Sequence, residues 1–246
     1  MKEQRYFYIG FTLLSAAFII SAALIVSLGK DKGNSIFTAA ENEEICIVID
    51  AGHGGEDGGC VSDGGVLEKD INLEVAKKTS ELLSSMGYNA VMTRTEDKML
   101  YDMYGDNYEG RKKTYDLKNR LRFAEENEAD IFVSIHMNKF PQEQYSGLQV
   151  YYSKNNGESE KIARSIQQFN KEYLQTDNER EIKAADKNIF LLDRMNIPAV
   201  LAECGFLSNK KEAEQLCNDE YRKELSFMLA AALSKYMEVD KNGEKV

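Results

Sequence analysis

The chain has 246 residues, of which 43% are hydrophobic and 29% charged, and its formal net charge is −10. That length and balance fit one folded domain plus a small extra piece, and they exclude a disordered chain. The acidic excess argues against nucleic acid as a partner, because such a surface repels phosphate backbones.

The extra piece comes first. Residues 6–28, YFYIGFTLLSAAFIISAALIVSL, carry no charge. A helix of that length crosses a hydrocarbon core of about 30 Å. A cleaved signal has a shorter apolar stretch, about 7–15 residues. Residues 1–30 therefore read as a signal anchor or signal peptide, with the anchor the expectation, and the domain behind it is expected outside the membrane. Lys2 and Arg5 on one side face Lys30 and Lys32 on the other, so orientation is weakly coded. Removing residues 1–30 takes away only Lys2, Arg5, Lys30 and Glu3, which leaves 28 basic and 40 acidic residues. Residues 31–44 are polar and read as a linker, residues 45–237 as the folded domain, and residues 238–246 as a polar tail.

Within the domain, apolar runs alternate with helical patterns. EICIVID (44–50) predicts a buried strand. Residues 70–86 place Ile71, Val75, Leu82 and Met86 at helical spacing, and Gly87 stops the helix. YNAVMTR (88–94) predicts a strand, and 117–127 a helix with Leu117, Leu121 and Ala124 inward. DIFVSIH (130–136) and GLQVYYS (147–153) predict strands. A helix over 158–174 has Ile162, Ile166, Phe169 and Tyr173 in register. NIFLLDR (188–194) and PAVLAECG (198–205) predict two more strands. The last helix, about 219–237, buries Leu225, Met228, Leu229, Ala232 and Tyr236. This alternation argues for an α/β layer fold on a largely parallel sheet, whose ligands bind beyond the carboxyl ends of the strands.

The chain has two histidines, and both fall on that edge. His53 follows the first strand, and His136 ends the third. One such histidine is more simply a hydrogen-bonded core residue; two on one edge point to a site. Two imidazoles invite a divalent metal, and hydrolytic zinc commonly takes two His, one carboxylate and a water. Glu68 can be the carboxylate, if the glycine-rich loop before it folds back toward His53. As a first-turn helical residue it can equally be a solvated acid. Glu203 follows five apolar residues and should project from a buried strand end. An unpaired carboxylate there is costly, and a raised pKa would suit proton transfer. The alternative is an ion pair with Arg94 or Arg120. No phosphate loop, H-E-x-x-H or G-x-S-x-G motif occurs. The four cysteines (Cys46, Cys60, Cys204 and Cys217) have no C-x-x-C spacing. Cys46 and Cys204 read as small buried hydrophobes, and no structural disulfide is expected.

IVIDAGHGGEDGG, LEKDINLEVAKK, MTRTED, LKNRLRFAEENEADIFVSIHMN and PAVLAECGFLSN resemble, in order, the blocks of the zinc-dependent N-acetylmuramoyl-L-alanine amidases of the amidase-3 type. The resemblance spans about residues 45–237. It implies a single α/β domain around a six-stranded, mostly parallel twisted sheet flanked by helices. It implies one zinc ion per chain, and cleavage of the amide between N-acetylmuramic acid and L-alanine in peptidoglycan. By position, His53, Glu68 and His136 match the zinc ligands and Glu203 the catalytic glutamate. Arg94, Arg120 and Asn138 match recurrent residues with a structural or supporting role. The longer segment 98–116 and the lone domain behind an N-terminal anchor resemble the germination-specific amidases of endospore formers. That likeness implies work on spore cortex, where stripped muramic acid becomes muramic-δ-lactam. In some such amidases it also implies a secreted lipoprotein partner. Cys204, next to Glu203, stands where a small apolar residue is common; it is expected to face the core. Two rival readings share much of this pattern: a zinc peptidase cutting within the stem peptide, and a non-catalytic peptidoglycan-binding module.

Overall fold

The computed structural model describes residues 45–242, and the expected anchor and linker lie outside these residues. Among the described residues, no helix is long and apolar enough to cross a membrane.

Six strands form one sheet: β1 (Cys46–Ala51), β2 (Asn89–Met92), β3 (Ile131–Asn138), β4 (Gln149–Tyr152), β5 (Lys183–Ala184) and β6 (Ala199–Phe206). Their order is β2-β1-β3-β6-β4-β5. All neighbours are parallel except β4 and β6, which run antiparallel. The helices are α1 (Glu68–Ser85), α2 (Lys112–Glu126), α3 (Glu158–Tyr173), α4 (Phe190–Arg194), α5 (Lys210–Cys217) and α6 (Asp219–Asn242).

Side chains alternate across a strand, so each central strand feeds two cores. Ile47, Ile49, Val133, Ile135, Val200 and Ala202 pack on one face with Val75 and Leu83 of α1, Ile162 and Ile166 of α3, and Leu225, Leu229 and Leu233 of α6. Val48, Phe132 and Leu201 point the other way, against Ala124 of α2 and Leu191 and Leu192 of α4. The central strands are apolar on both sides because helices cover both. Cys46 and Cys204 are buried among these apolar clusters.

Four details depart from the sequence expectation. NIFLLDR is not a strand; its last five residues form α4. A short apolar run cannot be assigned by periodicity alone, and here adjacent Leu191 and Leu192 are both buried. A strand would have sent the two to opposite faces of the sheet, whereas both lie in the one cluster. Arg194 also lies 4.0 Å over the Phe190 ring, a contact one helical turn makes. On α1 the buried stripe is Ile71, Val75, Ala76 and Leu83, while Met86 is exposed past the helix end. On α3, Tyr173 is exposed and packs on Phe169 with ring centroids 4.4 Å apart. The final helix runs beyond residue 237 to Asn242.

Candidate metal centre

β1 ends at Ala51, and the chain turns sharply through Gly52 and His53. His53 has φ of 61°, in the left-handed region, a conformation that costs about 1–2 kcal/mol for a residue with a Cβ. Two buried arginines hold it there. Arg120 donates to the carbonyls of Ala51 at 2.9 Å and His53 at 2.7 Å. Arg94 donates to the carbonyls of Ala51 at 2.9 Å, Gly52 at 3.0 Å and Lys69 at 2.8 Å. Arg120 is itself fixed by Asp50 at 2.5 Å and Asp116 at 2.9 Å. Gly52 is required for a different reason: a Cβ on it would run into the His136 ring.

Residues 60–67 fold back as the glycine-rich composition suggests. Val61 bridges Leu67, and the Glu68 amide donates to the Cys60 carbonyl at 2.9 Å. That return carries Glu68, the first residue of α1, to His53. Glu68 Oε2 accepts the Cys60 amide at 2.8 Å, and Oε1 accepts the Met137 amide at 3.1 Å. Glu68 Oε1 lies 3.3 Å from His53 Nε2 and 2.9 Å from His136 Nδ1. Gly59, with φ of 67°, leaves room for this; a Cβ there would sit 2.5 Å from Glu68 Oε2.

One donor atom from each of His53, Glu68 and His136 lies within 4.8 Å of the others. Two imidazoles and a carboxylate in such a cluster suit a borderline divalent ion such as zinc. The charges agree with that fit. Burial disfavours a charged His53, but the hydrogen bonds it donates to the Asp57 and Glu68 carboxylates overcome this and push the imidazole up to about 9. Burial likewise works against an ionised Glu68, but the two imidazoles hold it well below the usual carboxylate range. The pocket thus attracts positive charge strongly. His53 Nδ1 is turned to Asp57 Oδ2 at 3.0 Å, which orients the ring and leaves Nε2 for the centre.

Glu203 stands beside this cluster. It pairs in register with His136 across β3 and β6. Its Oε2 is buried and has no hydrogen-bond partner among the described residues. Burial pushes its carboxyl up to about 7, with the charge of His136 opposing. The alternative of an ion pair with Arg94 or Arg120 does not hold: both guanidinium groups are committed to the 50–53 turn and its surroundings.

Residues 47–235 match the family model described as N-acetylmuramoyl-L-alanine amidase. The chain belongs to this family. It is 35% identical over 192 residues to the germination-specific N-acetylmuramoyl-L-alanine amidase of Bacillus subtilis (strain 168), across 77% of this chain and 78% of that protein. Among solved structures it is similar to the CwlD amidase from Clostridioides difficile, determined in complex with the GerS lipoprotein. That match has 38% identity and a TM-score of 0.74, over 79% of this chain and 99% of the other. It is also similar to the amidase AmiC2 of Nostoc punctiforme, with 28% identity and a TM-score of 0.67, over 79% of this chain and 98% of the other.

In this amidase the segment 98–116 buttresses the His53 loop. The Leu100 amide donates to Asp116 at 2.6 Å, and Asn119 donates to the Leu100 carbonyl at 2.6 Å. Lys112 pairs with Glu56 at 2.6 Å, and Lys113 with Asp57 at 3.2 Å. Asn138 lies past an irregularity in the β3–β6 pairing, and its carbonyl accepts the Leu207 amide at 2.8 Å. Cys204 points away from Glu203 into the core, with Sγ 3.5 Å from the Ala202 carbonyl.

Sequence reasoning missed Asp50, Asp57 and Asn72. Asn72 donates to Gly52 O at 3.1 Å and Glu68 Oε1 at 3.3 Å. Its signal was available: it lies one helical turn after Glu68, on the same face. Asp57, four residues after His53 in a loop, had no periodicity to mark it.

Proposed function

We propose that this peptidoglycan amidase is a zinc hydrolase that cleaves the amide between N-acetylmuramic acid and L-alanine. His53, Glu68 and His136 hold the ion, and Glu203 moves the proton. The observation that carries the reading is the convergence of three donor side chains beside a buried carboxylate with an unpartnered oxygen. When bound there, zinc supplies Lewis acidity to the amide carbonyl and to a water molecule. Glu203 does the rest of the proton work. Its Oε2 accepts a proton from the attacking water and returns it to the nitrogen of the departing L-alanine. Asp57 keeps His53 in one tautomer and one orientation, and Arg94 and Arg120 fix the turn that carries it.

The finer role is spore cortex maturation, in which stripped muramic acid becomes muramic-δ-lactam needed for germination. The likeness to a germination-specific amidase supports it. The complex of the similar CwlD amidase with a lipoprotein supports a secreted lipoprotein partner here. Residues 1–30 would tether or export the chain and 31–44 would act as linker, so that residues 45–237 work on the outer side of the membrane.

The full chain, supplied with zinc, is incubated with spore-type peptidoglycan beside a Glu203→Ala control, and new L-alanine amino termini are counted. They are expected with the parent and lost in the variant and in chelator. Amino termini that persist at the parental rate in Glu203→Ala would remove Glu203 from the chemistry.

A further inference from the structure

The catalytic edge continues past Glu203 to a cation that the proposed chemistry does not use. In the antiparallel pairing of β4 with β6, Gln149 lies directly opposite Glu203. Directly opposed residues project on the same face, about 5 Å apart. Gln149 Oε1 accepts a hydrogen bond from Arg180 Nη1 at 3.1 Å, and the Gln149 side-chain amide donates to the Glu181 carbonyl at 2.8 Å. Arg180 is therefore one side chain removed from Glu203, on the side opposite the His53–Glu68–His136 cluster.

Arg180 is a half-buried side chain held from several directions. Its Nε donates to the Ser146 carbonyl at 2.6 Å. Its guanidinium lies 4.5 Å over the Phe206 ring and 5.8 Å from the Tyr145 ring centroid. Such stacking and hydrogen bonding fix the plane of the group before any ligand arrives. Yet no carboxylate among the described residues lies within ion-pairing distance of it, although the domain is strongly acidic. Its charge reaches Glu212, but the two oxygens of Glu212 accept the Gly147 and Phe206 amides at 2.9 and 2.8 Å. Arg180 also lines a cleft of about 840 Å³, together with Tyr145, Asn178, Lys211 and Tyr221; Asp177, Glu179 and Glu212 line it too. A fixed guanidinium without a carboxylate, on the wall of a cleft, suits a planar anionic group from a ligand.

We propose that Arg180 receives a carboxylate of the departing stem peptide and that the adjoining cleft is the peptide subsite. This rests on the amidase reading above. The muramoyl carbonyl lies toward the histidine cluster, and Glu203 protonates the alanine nitrogen. The rest of the peptide then leaves on the far side of Glu203, over Gln149 and toward Arg180. Stem peptides carry free carboxylates beyond the first alanine, and Arg180 would distinguish a free carboxylate there from its amide.

The test needs no turnover. The full chain is titrated calorimetrically with a free stem peptide that begins L-alanine–D-glutamate with a free α-carboxylate. The same peptide with that carboxylate amidated is the comparison. The acid is expected to bind about tenfold tighter than the amide, as a charge-assisted pair would give. Arg180→Gln is expected to erase that difference and Arg180→Lys to keep part of it. Equal binding of the two peptides by the parent, or no binding of either, would overturn the proposal; so would an equal loss for both in Arg180→Gln, which marks a merely structural arginine. The parent's discrimination between peptides needs no variant to fold. Release of new L-alanine amino termini from intact spore-type peptidoglycan is followed separately, because its absence counts against the amidase reading alone.

Discussion

In the proposed chemistry Glu203 is the residue that moves the proton. Its Oε2 is buried without a partner, and burial raises its carboxyl to about 7. A proton acceptor poised near the working pH gives the largest benefit, typically about 10²–10⁴-fold. Glu203→Gln should therefore lower kcat by about 10²–10⁴-fold while zinc content, measured by atomic emission, stays at the parental level. The pH dependence has a definite sign. The base must be ionised, so kcat/KM falls as pH drops, and nearby positive charge favours ionisation. The acid limb of the profile should have its midpoint at or below about 7; a midpoint a full unit higher would assign the limb to another group. Asp57 acts on the centre through the ring of His53, at 3.0 Å. Supporting carboxylates of this kind contribute about 10–100-fold to metal affinity. Asp57→Asn should weaken zinc by that order in a chelator competition, with Glu203 untouched.

At the scale of elements, a single strap joins β1, β3 and α2. Asp50 accepts from Thr93 Oγ1 at 2.7 Å, Ser134 Oγ at 2.6 Å and Arg120 at 2.5 Å. Burial alone would raise its carboxyl, but Arg120 and the two hydroxyls hold it below the ordinary value. Because the folded pKa is depressed, the stabilisation is complete above the unfolded pKa of about 4. It is lost as pH falls through the lower folded value. Arg120→Ala leaves Asp50 buried without its cation and should cost about 3–5 kcal/mol in denaturant unfolding near neutral pH. The gap from the parent should narrow below about pH 4. A gap that is constant down to pH 2 would deny the strap its electrostatic character. Elements also show where the sequence stops speaking. The long amphipathic helices and the apolar strands were legible because their periodicity is set by burial. NIFLLDR was misread because Leu191 and Leu192 fit either a strand or one helical turn. Lys183–Ala184 is exposed and two residues long, so no apolar pattern marks it. α5 is short and mostly polar; its Asn209 cap, which accepts the Glu212 amide at 3.1 Å, was its main sign.

For the whole molecule, sheet topology gathers a site from distant parts of the chain. β1, β3 and β6 are adjacent, so His53, His136 and Glu203 meet at one edge although up to 150 residues separate them. That much was readable from the sequence, since each residue ends or follows an apolar run and parallel strands share one carboxyl edge. Asp57 and Asp50 were not readable, because their partners are fixed by loop closure and by packing between layers. The same topology puts β4 beside β6 and so brings Arg180 within one side chain of Glu203. The most direct test of the account is mass spectrometry of spore-type peptidoglycan after digestion by the zinc-loaded full chain. The account predicts muramic acid freed of its peptide together with intact stem peptides beginning at L-alanine, both suppressed by chelator. Shortened stem peptides still attached to muramic acid would contradict it and make this site that of a peptidase.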